Sequence, residues 1–391
     1  MSDPEVMEYR SSQPLPPDAA LYAGIDVGSN TVKMVIADLG GGRANRVYEA
    51  SLQSRLGEGM MAQARRLREV PILRTLDAFD HFLEAVRSYP VPGPVLTRAW
   101  DCGALRAPSG YDVVQATSLS TLLPGRAALV TTVHDLLWRR VPEAYPSRGR
   151  AWHEAALRRA LQRSDRFIVP AEVVAADLIS AGASPGAVHV IPMGSDHLPP
   201  PDQQAARSLL SSMGVDGPFL LSVGTLEPRK NLARLVGAYE RIRTALPEPW
   251  PLVLVGPSGW GERVRPETGV VLTGLVTPSE LSALYSMARL LAYVPLVEGF
   301  GLPPVEAMAF GTPVVASPLP STAGAAFEVD PLDTGSIADG LLAVATDEDE
   351  RSRLRQLGRQ RSDTLRWSGI ARQHVEVWEQ ARRPEPGGRR G

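Results

Sequence analysis

Arg229 and Lys230 stand side by side in LLSVGTLEPRKN, after an apolar run ending at Val223 and before a stretch with helical spacing. Two adjacent cations beside a helix N-terminus suit a diphosphate, because fixed positive charge and unpaired backbone N–H groups converge there. Gly224 opens the turn between them and the strand. An isolated Arg-Lys pair can equally be a solvated helix cap, so its meaning depends on what else the fold brings near.

Further on, Glu298 and Glu306 are separated by seven residues in VEGFGLPPVEAMAFGTPVVAS. Gly299 and Gly301 permit close approach of backbone to a ligand. Pro303 and Pro304 suit a first helical turn, where a missing N–H costs little. The spacing predicts Glu298 in a loop and Glu306 in the first turn of a helix opening about residues 304–306, with backbone amides between them. Two carboxylates so placed can accept hydrogen bonds from hydroxyls of two sugar rings, one on each side of a diphosphate. Taken alone, Glu306 could merely complement the helix dipole. A third segment, LVGPSGWGE at 254–262, is a Gly-rich strand end that could border a base and ribose. His134, followed by Asp135 in TTVHDL, also stands at a strand end, where it is either a loop-capping histidine or a functional one.

Alternating strands and helices must position these residues. YDVVQAT, ALVTTVHDL, RFIVPA and VHVIPMG are short β-branched runs, with WHEAALRRALQRSD and EVVAADLISAG as intervening helices. Such alternation means a parallel sheet with helices on both faces, and ligands of such sheets sit at the carboxyl ends of the strands. After the proline-stiffened HLPPPD the alternation restarts: PFLLSVG, a helix over 231–244, PLVLVGP, GVVLTG, a helix over 279–287, RLLAYVP, a helix over 305–310 and PVVAS. Long helical segments over 336–354 and 370–381 close the chain. Upstream, YAGIDVGS and NTVKMVIADL read as strands, and 65–87 has helical periodicity.

The chain has 391 residues, enough for two or three domains. Net charge is −2, which gives no bulk attraction to nucleic acid. The single cysteine, Cys102, excludes an internal disulfide and a cysteine-rich metal site and points to a reducing cytoplasm. The opening residues are polar and Pro-rich, unlike a signal peptide, and no apolar run reaches about 18 residues. Arg148, Arg150, Arg158, Arg159 and Arg163 could touch an anionic membrane at its inner face, or form a solvated helix face.

The order VGTLEPRKN, VGPSGWG, E-GFGLPPV-E-AMAFGTPVV resembles the C-terminal domain of glycosyltransferase family 4, and Glu298 and Glu306 resemble its Glu-x7-Glu motif. The likeness continues through DVVQATS, TTVHDLLWRRVPEAYP, RFIVPA and VIPMGSDHL, covering about residues 93–380. It implies an α/β, GT-B-like fold of two doubly wound Rossmann-like domains facing a cleft. It implies a retaining, metal-independent transferase without a cofactor. Such an enzyme moves a hexose, mannose or glucose, from a nucleoside-diphosphate sugar to a glycan or lipid acceptor. Carried over by residue, Arg229 and Lys230 hold the diphosphate, Glu306 the ribose and Glu298 the donor sugar. The amides of Phe300, Gly301 and Leu302 meet sugar hydroxyls and phosphate, beside Gly224. His134 matches a family histidine lying near the donor sugar.

The N-terminal end departs from that pattern. The family's opening strand, Gly-rich loop and long helix are not found. In their place AGIDVGSNTVKMVIADL and SRLGEGM, over about 21–88, resemble the start of the exopolyphosphatase and guanosine-pentaphosphate phosphatase family, where Asp-x-Gly-Ser-Asn is a phosphate-binding turn. Gly28, Ser29 and Asn30 could stand in for the missing loop. The expected organisation is a disordered tail (1–20), a phosphatase-like segment (21–90), a partial Rossmann-like acceptor domain (91–197), a linker (198–206), a Rossmann-like nucleotide-sugar domain (207–365), a helix (366–381) and a disordered tail (382–391). Two other readings follow: a catalytically impaired nucleotide-sugar-binding protein, or a fragment of a phosphatase acting on polyphosphate or guanosine polyphosphates.

Overall fold

The computed structural model describes residues 6–10, 21–27, 31–38, 45–53, 102, 112–121, 123–246, 250–259 and 268–382, the first four segments as backbone. The helix expected over 65–87, the turn at 28–30, both tails beyond these limits and the 260–262 end of the third Gly-rich segment lie outside them. Two compact units are formed, one from Met1–Thr132, Ala155–Asp165 and Ala381–Gly391, the other from Val133–Glu154 and Arg166–Gln380.

In the first unit, β1 (Val6–Arg10), β2 (Leu21–Val27), β3 (Thr31–Asp38) and β4 (Asn45–Gln53) make an antiparallel sheet ordered β1-β4-β3-β2. The two runs read as strands from Leu21 onward are thus a hairpin, β2 against β3, with Asp26 opposite Lys33. β5 (Val113–Ala116) and β6 (Ala128–Thr132) pair in parallel. The Asp165 carboxylate accepts from the Leu129 N–H at 2.8 Å, which fastens β6.

The second unit contains β7 (Arg166–Val169) and β8 (Val188–Val190), again parallel, with the helix Glu172–Ser180 between them. Its main body is a six-stranded sheet: β9 (Leu220–Val223), β10 (Leu252–Val255), β11 (Val270–Gly274), β12 (Leu290–Tyr293), β13 (Val314–Ala316) and β14 (Phe327–Glu328). All pairings are parallel and the order is β11-β10-β9-β12-β13-β14. Successive side chains of a strand point to opposite faces. Leu221, Val253, Val255, Leu291 and Tyr293 accordingly join one buried cluster, and Leu220, Leu252, Leu254, Leu290 and Ala292 the other. Burial on both faces explains why these strands read as unbroken apolar runs. The first strand of this domain lies centrally, the next two extend to one side and the last three to the other. That is the doubly wound pattern, and its switch point, where ligands of such sheets bind, falls between the carboxyl ends of β9 and β12.

Val6–Arg10, within the stretch expected to be a disordered tail over 1–20, is the strand β1. Three further boundaries differ from the sequence expectation. The helix after Gly301 spans Leu302–Ala309, so it starts earlier and Glu306 falls in its second turn. Pro303 and Pro304 occupy the first turn itself. The expected segment 336–354 is two helices, Thr334–Thr346 and Glu348–Thr364, because the Asp347 carboxylate accepts from the amides of Asp349 and Glu350 and starts a new helix. The helix Gln203–Ser212, capped by Asp202, begins inside the stretch expected to be a linker. The last helix is Trp367–Ala381. Among the described residues no helix is long and apolar enough to cross a membrane.

Candidate functional site

β9 delivers its carboxyl end to Gly224, whose backbone at φ +152 turns the chain away from the sheet. Gly256, the residue after β10, lies so close that a Cβ there would stand 2.1 Å from the Gly224 carbonyl oxygen. The chain after β9 runs through a short 3-10 turn, Pro228–Lys230, into the helix Leu232–Ile242. Asn231 joins the two in a left-handed conformation (φ 59), which asparagine tolerates better than most residues. Its buried Nδ2 donates to the Val294 and Pro331 carbonyls at 3.0 and 2.7 Å. The turn carrying the two cations is therefore tied to the end of β12.

The cations converge on Glu298. Arg229 Nη1 is 2.7 Å and Lys230 Nζ 2.6 Å from Glu298 Oε1. The Tyr293 hydroxyl, at the end of β12, donates to that same oxygen at 2.8 Å and accepts from Lys230 Nζ at 2.7 Å. Arg229 also donates to the buried Glu227 at 2.6 Å and to the Val297 carbonyl at 3.2 Å. Arg229, Lys230, Glu227 and Glu298 thus form a mutually neutralised set at the switch point. Burial by itself would push the Glu298 carboxyl up, but Lys230 and Arg229 outweigh it and hold it below the usual range. Burial likewise lowers Arg229, and Glu298 and Glu227 more than compensate, leaving it raised. Tyr293 is pushed well up by burial and then by Glu298. Its hydroxyl keeps its proton and serves as a donor.

Glu306 lies apart from that set, 6% exposed. Its Oε2 accepts from the Tyr285 hydroxyl at 2.8 Å, and its Oε1 is 3.0 Å from His197 Nε2. The loop between the two glutamates is tight. A Cβ on Gly299 would stand 2.4 Å from the His134 carbonyl oxygen and 2.8 Å from Asp135 Cβ. Gly301 caps the following helix at φ 90. Since Pro303 and Pro304 carry no N–H, Leu302 supplies the donor of the first turn, next to those of Phe300 and Gly301.

The structure therefore joins Arg229, Lys230 and Glu298 in direct contact, with Gly224 beside Lys230 and Gly301 and Leu302 opening the adjacent helix. It brings the backbone of His134 against Gly299, while the His134 side chain is exposed. Tyr293, Glu227, Tyr285 and His197 escaped the sequence reading. Tyr293 had one signal, a polar-tipped residue closing an apolar strand. His197 had none, because HLPPPD reads as a linker. A hollow of about 10 Å³, room for one water-sized sphere, opens between Gly224, Leu226, Lys230, Leu232, Tyr293 and Val294. A larger cavity of about 560 Å³, lined by Glu172, Ile179, His189, Gln373 and Glu376 among others, includes none of these residues. Among the described residues no group of three or more His, Cys, Asp or Glu is placed to hold a metal ion.

Comparison with known proteins finds glycosyltransferases. Residues 212–361 match the model of the glycosyl transferases group 1, and residues 62–197 that of glycosyltransferase family 4. The second match starts ahead of residue 93 and takes in part of the segment likened to the phosphatases. The chain is 28% identical to the O-antigen chain mannosyltransferase B of Escherichia coli over 64% of its own length and 69% of that protein's. It is 30% identical to the MMP alpha-(1->4)-mannosyltransferase of Mycolicibacterium hassiacum over 65% of each chain. It thus spans about two thirds of these relatives. The crystal structure of Anabaena HepE in complex with UDP and glucose superposes with a TM-score of 0.57 at 22% identity, covering 69% of this chain and 78% of that one.

Proposed function

We propose, from the premise that the chain is a glycosyltransferase of GT-B fold with a group 1 domain after a family 4 domain, that it moves a hexose from a nucleoside-diphosphate sugar to a glycan or lipid acceptor. The observation that carries this reading is the cluster at the switch point: two cations converging on one carboxylate, beside the helix Leu302–Ala309, whose first turn offers the Leu302 N–H. In the donor complex, Arg229 and Lys230 take the diphosphate and Glu298 is released to hydroxyls of the donor sugar. Glu306 accepts from the ribose. The amides of Phe300, Gly301 and Leu302 complete the cradle, and His134 flanks the sugar. As the bond from the anomeric carbon to the diphosphate breaks, negative charge grows on the leaving oxygen. Two preset cations and a helix N-terminus stabilise that charge without a metal. An acceptor hydroxyl arriving on the same face, with its proton passing to the leaving phosphate, retains the anomeric configuration. Mannose or glucose is the favoured sugar, since the two mannosyltransferases and the UDP- and glucose-bound HepE are similar to this chain.

Incubating the protein with UDP- and GDP-hexoses should release nucleoside diphosphate from one of them. Glu298→Ala should lower that release by roughly 100-fold or more, the scale of losing a group aligned with the reacting sugar. Thermal stabilisation by nucleoside diphosphate without turnover would make the protein a nucleotide-sugar binder. Neither turnover nor stabilisation with any donor would overturn the assignment.

A further inference from the structure

His197 is held rigidly against Glu306. The Ser195 N–H donates to the Leu365 carbonyl at 2.9 Å, and the Asp196 carboxylate accepts from the Trp367 N–H at 2.9 Å. A Cβ on Gly194 would stand 2.5 Å from the Trp367 ring, so this stretch lies flat on the start of the last helix. On the other side Leu198 packs into the core. The backbone that carries the imidazole is thus pinned on both sides, and its Nε2 sits 3.0 Å from Glu306 Oε1.

The proton inventory then fixes what the other ring nitrogen can do. An ionised carboxylate only accepts, so Nε2 carries the hydrogen in this contact. In the neutral ring that leaves Nδ1 with a lone pair. Nδ1 is buried and has no hydrogen-bond partner among the described residues. A buried polar atom without a partner is costly, and such atoms are few in folded proteins. Here the orphan belongs to the ring whose other nitrogen faces the carboxylate that the proposed function assigns to ribose, and Tyr285 already braces that carboxylate from its other oxygen.

We propose that His197 is a nucleoside-reading residue of the donor site. Its Nε2–H fixes Glu306, and its Nδ1 accepts a hydrogen bond from an O–H or N–H of the bound nucleoside. The inference rests on the donor-site reading above and adds a specificity contact to it. A brace for Glu306 alone would need only Nε2, so the two roles separate by substitution. Glutamine places an amide N–H near the Nε2 position and offers nothing at Nδ1. Phenylalanine removes both.

The test is calorimetric binding of UDP, GDP, their 2′- and 3′-deoxy forms and inorganic pyrophosphate to the full chain and to His197→Phe and His197→Gln, with thermal melts confirming that each variant folds. The better-bound nucleotide should weaken by about tenfold or more with Phe and by about three- to tenfold with Gln, the range of a single lost hydrogen bond. Pyrophosphate should stay within about twofold for both, since it carries no nucleoside. If the Gln penalty vanishes for one deoxy form, that ribose hydroxyl is the donor; if it persists in both, a base N–H is. Gln binding nucleotide like the wild type would reduce His197 to a brace and overturn the proposal. Equal weakening of pyrophosphate and nucleotide would also overturn it. A wild-type protein that binds pyrophosphate but neither nucleotide would overturn the donor-site reading and this inference together. Wild-type nucleotide binding with unaffected variants would overturn only the inference.

Discussion

Glu298 is the residue on which the charges of the site balance. Its carboxylate separates Arg229 from Lys230, and all three side chains are between 10% and 14% exposed. Removing one partner of a buried ion pair leaves the other uncompensated, at about 3–5 kcal/mol in fully buried cases. Glu298→Gln should therefore destabilise the free protein by about 2–4 kcal/mol, read as a lowered denaturant midpoint. Inorganic pyrophosphate should restore more stability to this variant than to the wild type, because its charge replaces the lost carboxylate between the cations. An equal or smaller gain in the variant would show that these cations do not receive the diphosphate. The pH dependence follows the same logic. The folded carboxyl titrates below its ordinary value of 4.5. Its contribution is complete above that value and disappears as pH falls through the depressed folded one. Glu298→Gln should flatten this acid limb of the stability curve.

At the level of elements, the sequence revealed the parallel sheet because its central strands β9, β10, β12 and β13 are buried on both faces. Apolar runs such as PFLLSV and PLVLVG admit few other readings. The helix Leu302–Ala309 was legible for a local reason, Gly301 and two prolines, although its start was not. Proline is tolerated anywhere in the first turn, so Pro303 and Pro304 did not fix its frame. The break at Asp347 was missed because a capping aspartate inside a charged run, DEDERSR, looks like surface. The Glu306–His197 and Glu298–Tyr293 contacts could not be read at all, since the first spans more than 100 residues and the second depends on where β12 ends. One contact between elements has a direct test. Gly299 faces the carbonyl of His134, a backbone atom that cannot rotate away, so Gly299→Ala must displace one of the two segments. It should cost about 1–3 kcal/mol, as overpacking does, and lower turnover along with it. Gly217→Ala, where a Cβ meets nothing within 4 Å, is the control and should change neither by a measurable amount. Wild-type activity in Gly299→Ala would detach the His134 strand end from the site.

At the scale of the whole molecule, the site residues all belong to one of the two units, that formed by Val133–Glu154 and Arg166–Gln380. The antiparallel sheet β1–β4 belongs to the other. A ligand stabilises only what must stay folded for it to bind, by about 2.7 kcal/mol at 100 times its dissociation constant. Amide exchange reports this increment locally, because segments that open independently keep their own opening free energies. Saturating nucleoside diphosphate should therefore slow exchange in β9, β12 and the helix Leu302–Ala309, and in the Ser195–His197 stretch packed on the last helix. Amides of β2 and β3 should exchange at unchanged rates. Their slowing to the same extent would mean that the β2–β3 pair folds as one cooperative body with the candidate site. Unchanged rates there, with slowing confined to the switch point, would make the donor site a property of the second unit alone.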